Sequence, residues 1–320
     1  MPKKKEEQQE EVKVNYSYTQ RARGLPFISM GVRFIANVEA LNMVETAGNL
    51  SRHRTVPIVV FSEGKYGIKW YPAISGESLA HAFQYNLSIL EKMRSKKLCY
   101  FCSIGEFVKH SALDFYKKVS GSISMPAWEK DLIDNYDKME PWEIEDKIIN
   151  NCVVEDLGGF VVATAASTGG GGVSVRRTSA FQFSYAVPTE DAIEEAATTT
   201  DVQMQVRMAG VSQNLANGVK YNNPIQAPFN KEIASTTYSF IFNFDADKVC
   251  VNSYTNSQTC DDEEKKTRVK MALDSLKLLV DGQFGASRSR FNPFIEREVI
   301  VAAVTKGDVL FTVSSPAMKL

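Results

Sequence analysis

Three histidines, His53, His81 and His110, are the only imidazoles in the chain. Imidazole can relay protons or ligate a metal, so their neighbours matter first. They lie far apart in sequence, and no His-Glu-x-x-His zinc pair occurs. No Gly-x-Ser-x-Gly nucleophile elbow occurs either. His81 falls inside a helical pattern, where packing accounts for it. Glu39, Glu45 and His53 can be drawn as a metal site, but their spacing does not demand one. The glycine run 169–172 is not followed by Lys-Ser or Lys-Thr, so it is no phosphate loop. Cys99-Tyr100-Phe101-Cys102 forms one Cys-x-x-Cys, which could hold zinc with His110 and Cys152. A single knuckle without a matching second pair favours plain buried thiols. We therefore expect no enzyme, no cofactor and no metal.

The arginines carry a stronger pattern. Arg52-His53-Arg54 lies in a polar stretch after the first strand pattern. Ser75-Gly76-Glu77-Ser78 reads as a helix start, where free backbone N–H groups can hold an anion. Arg288 and Arg290 sit in a glycine-bearing loop, and Arg176-Arg177 in a hairpin pattern. Guanidinium groups bind phosphate in a bidentate way and stack on bases. The expected RNA-binding residues are Arg52, His53, Arg54, Ser75, Gly76, Ser78, Arg176, Arg177, Arg288 and Arg290. The net charge of −1 excludes a uniformly basic protein. A focused basic groove remains, because phosphate contacts depend on local charge.

These residues need elements to position them. Residues 29–38 alternate, with Val32, Phe34, Ala36 and Val38 on the core face and Arg33 on the other. A polar loop is expected over Asn42–Thr55. Pro57–Phe61 and Ile68–Tyr71 read as two strands around Gly64 and Gly67. Leu79, Ala82, Phe83, Leu87, Leu90 and Met93 follow the helix start at helical spacing. Residues 98–150 read as an inserted helical subdomain. Gly158–Ala165, then Val173–Tyr185, predict strands flanking the glycine run. Ala234–Phe244 is a strand with aromatic residues on one face, and Val299–Val304 closes the chain. A helix opened by Asp261-Asp262-Glu263-Glu264 has the stripe Val269, Leu273, Leu276 and Val280, and Gly282 ends it.

The order strand, helix, strands, helix, strand fits an α+β, ferredoxin-like βαββαβ core, the layout of RNA-recognition motifs. The aromatic motif that such sheets use is absent, so loops would read the RNA backbone. We expect a disordered tail over 1–22 and one core domain over 23–320. That domain would carry a helical insertion at about 98–150 and a thumb-like insertion at about 165–232. Five cysteines in a long chain argue against a disulfide framework and for a reducing compartment. No apolar run approaches the ~20 residues that span a bilayer, so a cytoplasmic protein is expected.

Longer motifs carry a family resemblance. Gly31-Val32-Arg33-Phe34-x-x-Asn37-Val38-Glu39-Ala40-Leu41-Asn42 is followed by Gly48-Asn49-Leu50-x-x-His53-Arg54-Thr55. Then come Ile74-Ser75-Gly76-Glu77-x-Leu79-Ala80-His81-Ala82, Glu106-Phe107, Gly158-Gly159-Phe160 and Arg176-Arg177-Thr178-Ser179. Phe284-Gly285-x-x-Arg288-Ser289-Arg290-Phe291-x-Pro293 completes the set. Together they resemble the archaeal Cas-seven/DevR family, the backbone subunits of the type I-A CRISPR Cascade. The resemblance implies a modified RNA-recognition core with a helical subdomain and a thumb. It implies CRISPR RNA as ligand, copies stacked head to tail into a helical filament, and contact with other Cascade subunits. It also implies target DNA pairing through the guide, in antiviral defence; the short apolar runs lead us to expect no membrane partner. A stand-alone nucleic-acid-binding autoregulator is the alternative. Where the family often has His-Val-Arg, this chain has Gln205-Val206-Arg207, so no role passes to that histidine.

Overall fold

The computed structural model describes residues 24–163, 174–209, 225–285, 288–289, 291–306 and 309–316. The tail expected over 1–22 lies outside the described residues, as do the glycine run 169–172 and Arg290. In chain order, β1 (Phe27–Glu39), β2 (Met43–Ala47), β3 (Leu50–His53), β4 (Thr55–Ser62) and β5 (Lys65–Pro72) precede α1 (Gly76–Arg94). Five helices follow: α2 (Tyr100–Ile104), α3 (Leu113–Val119), α4 (Ala127–Asn135), α5 (Pro141–Asn151) and α6 (Val153–Gly158). Next come β6 (Phe160–Ala163), β7 (Ser174–Arg177), β8 (Phe181–Phe183), β9 (Val187–Pro188) and α7 (Glu190–Glu194). The chain then forms β10 (Thr199–Ala209), β11 (Ile225–Asp245), α8 (Asp262–Val280) and β12 (Phe294–Thr305). No described helix is long and apolar enough to cross a membrane.

Contacts divide the chain into two compact units. The first holds Glu91–Ala180 and Asp247–Lys270, and the second holds Pro26–Leu90, Phe181–Ala246 and the chain from Met271 on.

The second unit is built on a mixed sheet of eight strands in the order β12-β1-β11-β3-β2. Strand β11 also pairs with β8, β9 and β10. All its pairings are antiparallel except the one with β3. Val32, Phe34 and Ala36 of β1 and Tyr238, Phe240, Phe242 and Phe244 of β11 are buried together on one face. Phe83 of α1 packs on Phe181, Phe183 and Phe242. Each such ring contributes roughly 1.5–3 kcal/mol by leaving water, so this row of aromatics dominates the core.

The opposite face of β1 is also covered. A side chain at Gly31 would meet Pro316 Cδ at 2.9 Å and the Ser314 carbonyl oxygen at 3.1 Å. The Val313 N–H donates to Ser29 Oγ at 3.0 Å. Arg33, expected to face outward, is 3% exposed. It pairs with Asp191 at 2.7 Å and Glu298 at 2.6 Å.

A bulge corrects the expected phase of β1. Its register with β11 shifts between Ala36 and Glu39, and Val38 takes φ 59°. Val38 turns out to solvent and Glu39 turns in. Asn42–Thr55 is no simple loop either. A tight turn at Gly48, φ 63°, lets β2 and β3 pair as a hairpin. The expected hairpin over 57–71 is present as β4 and β5, joined at Glu63-Gly64, both with positive φ.

The first unit is mainly helical. Leu113, Leu132, Ile144, Ile148, Ile149, Phe160, Val162 and Val175 form its main core. Strands β6 and β7 pair antiparallel as expected, but the strand expected over Val173–Tyr185 ends at Arg177, and Phe181–Phe183 forms the separate strand β8, which pairs with β11. Cys250 and Cys260 form a disulfide with Cα atoms 5.6 Å apart. Counting cysteines gave no sign of it, because a local loop joins them. In that loop the Thr259 N–H donates to the Cys250 carbonyl at 2.8 Å.

Candidate nucleic-acid interface

The expected RNA-binding residues differ sharply in what their polar ends touch. In the second unit, Asn42 joins two of the segments. Its Oδ1 accepts from Arg54 Nε at 3.0 Å and from the Ser75 N–H at 2.8 Å. The Ser75 hydroxyl accepts the Ser78 N–H at 3.1 Å, which caps α1 as the serine pattern predicts. Ser78 Oγ in turn donates to the Leu41 carbonyl at 3.3 Å. Arg54, Ser75 and Ser78 therefore stand together. Ser75, however, is buried and its hydroxyl is spent on the cap. Gly76 serves packing, because a Cβ there would meet the Phe183 carbonyl oxygen at 2.6 Å. The Ser75 hydroxyl is thus taken, while Gly76 is half-buried.

His53 is corrected in the same way. Its Nε2 lies 2.7 Å from Glu39 Oε1, and both side chains are buried. Its Nδ1 lies 2.9 Å from the Arg54 carbonyl oxygen. Glu39 also accepts from the Tyr238 hydroxyl at 2.7 Å and the Leu41 N–H at 2.6 Å. Burial opposes the positive charge on His53, but the hydrogen bond and field of Glu39 outweigh it and raise its pKa. The β1 bulge creates this pair by turning Glu39 inward, which strict alternation did not foresee.

Arg52 is exposed on β3 and Arg54 is half-buried beside it. Lys231, which the sequence reading missed, lies beside Ser51 on the neighbouring strand. Its Nζ stands 5.3 Å from the Phe291 ring centre. The signal for it was weak: a lone lysine in a strand carries no motif. Arg288 binds the end of α8, donating to the Gly282 carbonyl at 2.7 Å and to Gln283 Oε1 at 2.9 Å. His81, expected to be packed, is exposed on α1.

In the first unit, Arg176 and Arg177 point to opposite sides of β7. Arg176 is exposed and Arg177 is 5% exposed. Arg177 donates to Glu145 at 2.8 Å, to Asp156, and to the carbonyls of Asp156, Lys248 and Val251. Asp156 also accepts from Arg268 at 2.8 Å. With its donors taken, Arg177 holds the unit together and does not face a ligand. Of the cations described above, Arg52, Arg54, Lys231 and Arg288 in one unit and Arg176 in the other are exposed or half-buried.

The architecture is that of an α+β protein with a mixed sheet and exposed arginines at strand edges and loops. A family model described as CRISPR-associated negative auto-regulator DevR/Csa2 matches residues 30–319. The chain belongs to the DevR/Csa2 family. It is 36% identical over 291 residues to "CRISPR-associated aCascade subunit Cas7/Csa2 2" of Saccharolobus solfataricus, covering 89% of this chain and 80% of that one. It is 32% identical to "CRISPR-associated protein Cas7/Csa2 1" of the same organism, over 88% of this chain and 79% of that one. A solved chain from "CRISPR RNA-guided surveillance complex, pre-nicking" aligns at 12% identity and a TM-score of 0.41, covering 78% of this chain and 71% of that one.

Two outcomes follow from the geometry. Arg177→Ala leaves Glu145 and Asp156 short of a buried partner and should cost about 3–5 kcal/mol in urea denaturation. Arg176→Ala should stay within about 0.5 kcal/mol. Equal losses would contradict the division of roles. The raised pKa of His53 also sets a pH dependence. Its stabilising contribution is complete below the ordinary histidine range and is lost as pH rises through the higher folded value. The stability difference between the wild type and His53→Gln should therefore narrow from pH 6 towards pH 9, as read by denaturation at each pH. A difference that stays flat or widens would contradict a charged His53.

Proposed function

We propose that this chain is a backbone subunit of a type I-A Cascade effector. In this reading it binds CRISPR RNA without reading its sequence, and copies stack head to tail along the guide. The guide then pairs with target DNA, and other Cascade subunits join the assembly. The protein carries no catalysis of its own and works in the cytoplasm. The observation that carries the reading is family membership over residues 30–319, joined to a relative whose name makes it an aCascade subunit.

A modified RNA-recognition core is part of the proposal. Supporting it is the strand order β12-β1-β11, with β8 on the far side of β11. With α1 after β1 and α8 after β11, this fits the 4-1-3-2 order of a βαββαβ sheet. The sheet face that stacks bases in standard motifs is covered at Gly31 and Arg33. Loop and edge arginines then suit the RNA backbone better than base stacking on the sheet would. Arg52, Arg54, Arg176 and Arg288 are the phosphate contacts we assign.

The second reading is an autoregulator that binds one duplex. The family description, which names a negative auto-regulator, favours it. The two readings separate in one binding experiment. Unrelated single-stranded RNAs and the chain's own promoter duplex are titrated across salt concentrations. For about four phosphate contacts the log–log slope on RNA should be near −3, with similar affinity for every sequence. Arg52→Ala with Arg54→Ala should flatten the slope by about 1.4 and weaken all RNAs alike. A slope near zero would sink the backbone reading. Tight binding confined to the promoter would install the regulator.

A further inference from the structure

One buried cluster has no role in the proposed function. Cys99, Cys102, Cys152 and Glu155 are all fully buried in the first unit. Their sulfurs and a carboxylate oxygen lie within 4.8 Å of one another. We propose that these four residues form a structural zinc site of three thiolates and one carboxylate. The inference does not depend on the RNA reading.

The geometry fits such an ion. Four ligands at Zn–S distances of about 2.3 Å stand about 3.8 Å apart at the corners of a tetrahedron. The cluster therefore needs to close by about 1 Å at most. The ligands sit on built supports. Cys99 precedes α2, and its sulfur accepts the Cys102 N–H at 3.3 Å. Gly105, at φ 86°, then turns the chain away. Cys152 joins α5 to α6, and Glu155 lies in the first turn of α6. The sequence thus carries two pairs with the same spacing, Cys99-x-x-Cys102 and Cys152-x-x-Glu155. The second pair passes unnoticed in a search for a second Cys-x-x-Cys, because a glutamate stands in for the fourth cysteine.

The surroundings suit a metal more than plain thiols. His110 Nδ1 lies 2.8 and 2.9 Å from the two Glu155 oxygens. A partner of this kind commonly orients a ligating carboxylate. On its other side His110 Nε2 lies 3.3 Å from Glu129. His110 contacts the cluster through Glu155, and Lys109 beside it in the chain donates from Nζ to the Gly158 carbonyl at 3.0 Å. Three thiols and a carboxylate without an ion would converge for no gain, since apolar side chains would fill the same space at lower cost. Soft thiolates favour zinc over magnesium or calcium.

The test uses the full chain, expressed with zinc in the medium and purified without chelator. Metal content by plasma mass spectrometry should be about one zinc per chain, falling below about a tenth in Cys99→Ser and Cys152→Ser. Exchange of zinc for Co²⁺ should produce the intense visible bands of a tetrahedral thiolate site in the wild type. Glu155→Gln should change those bands while the three thiolates remain. A folded wild type with less than about a tenth of an equivalent of zinc, free thiols and no cobalt bands would overturn the proposal. So would full zinc content in both serine variants. If the serine variants do not fold, the wild-type stoichiometry and cobalt spectrum decide alone.

Discussion

Asp156 is the point on which the first unit depends. It is fully buried, and a buried carboxylate is tolerable only if it is paired and hydrogen-bonded. Here it takes Arg177 from β7, Arg268 from α8 and the backbone N–H of Cys250. Those partners carry further obligations. Arg177 also binds Glu145 of α5, and Arg268 binds the carbonyl of Ile149 at 2.6 Å. Segments distant in sequence are thereby tied to one carboxylate. Replacing a complete buried network by apolar residues can be neutral, but removing one member leaves charges stranded. The network therefore specifies how the segments meet more than it adds stability.

The same constraint explains what could and could not be read from sequence. The alternation of β1, the Ser75 cap of α1, the two strands of the β4–β5 hairpin and the aromatic row of β11 were legible, because periodicity and turn chemistry act locally. The hairpin turn falls at Glu63-Gly64, though, and Gly67, expected to bracket it, lies within β5. The bulge at Val38 was not, since it depends on what Glu39 gains by turning in. Buried there, Glu39 meets His53 and Tyr238. In α8 the apolar stripe pointed to Val269 and Leu273, yet Leu273 is exposed and Arg268 fully buried. A long-range ion pair outweighed the hydrophobic pattern.

The candidate site shows the same limit. Two adjacent arginines read as one basic patch, but a strand sends neighbours to opposite faces. Arg176 points out and Arg177 points in. His53 likewise lies between Arg52 and Arg54 in sequence and away from them in role. Charge clusters in a sequence locate segments, and only partner geometry says which cations are left for phosphate. The cover that Val313–Pro316 lays over Gly31 was equally hidden, because no pattern in those residues marks the surface they meet.

The central claim is that this chain coats RNA. The most direct measurement is purification without nuclease treatment, following absorbance at 260 and 280 nm together with elution volume. The account predicts a large, polydisperse species rich in nucleic acid, which RNase but not DNase collapses to monomer. A clean monomer free of nucleic acid, which also ignores added CRISPR RNA at low salt, would contradict it.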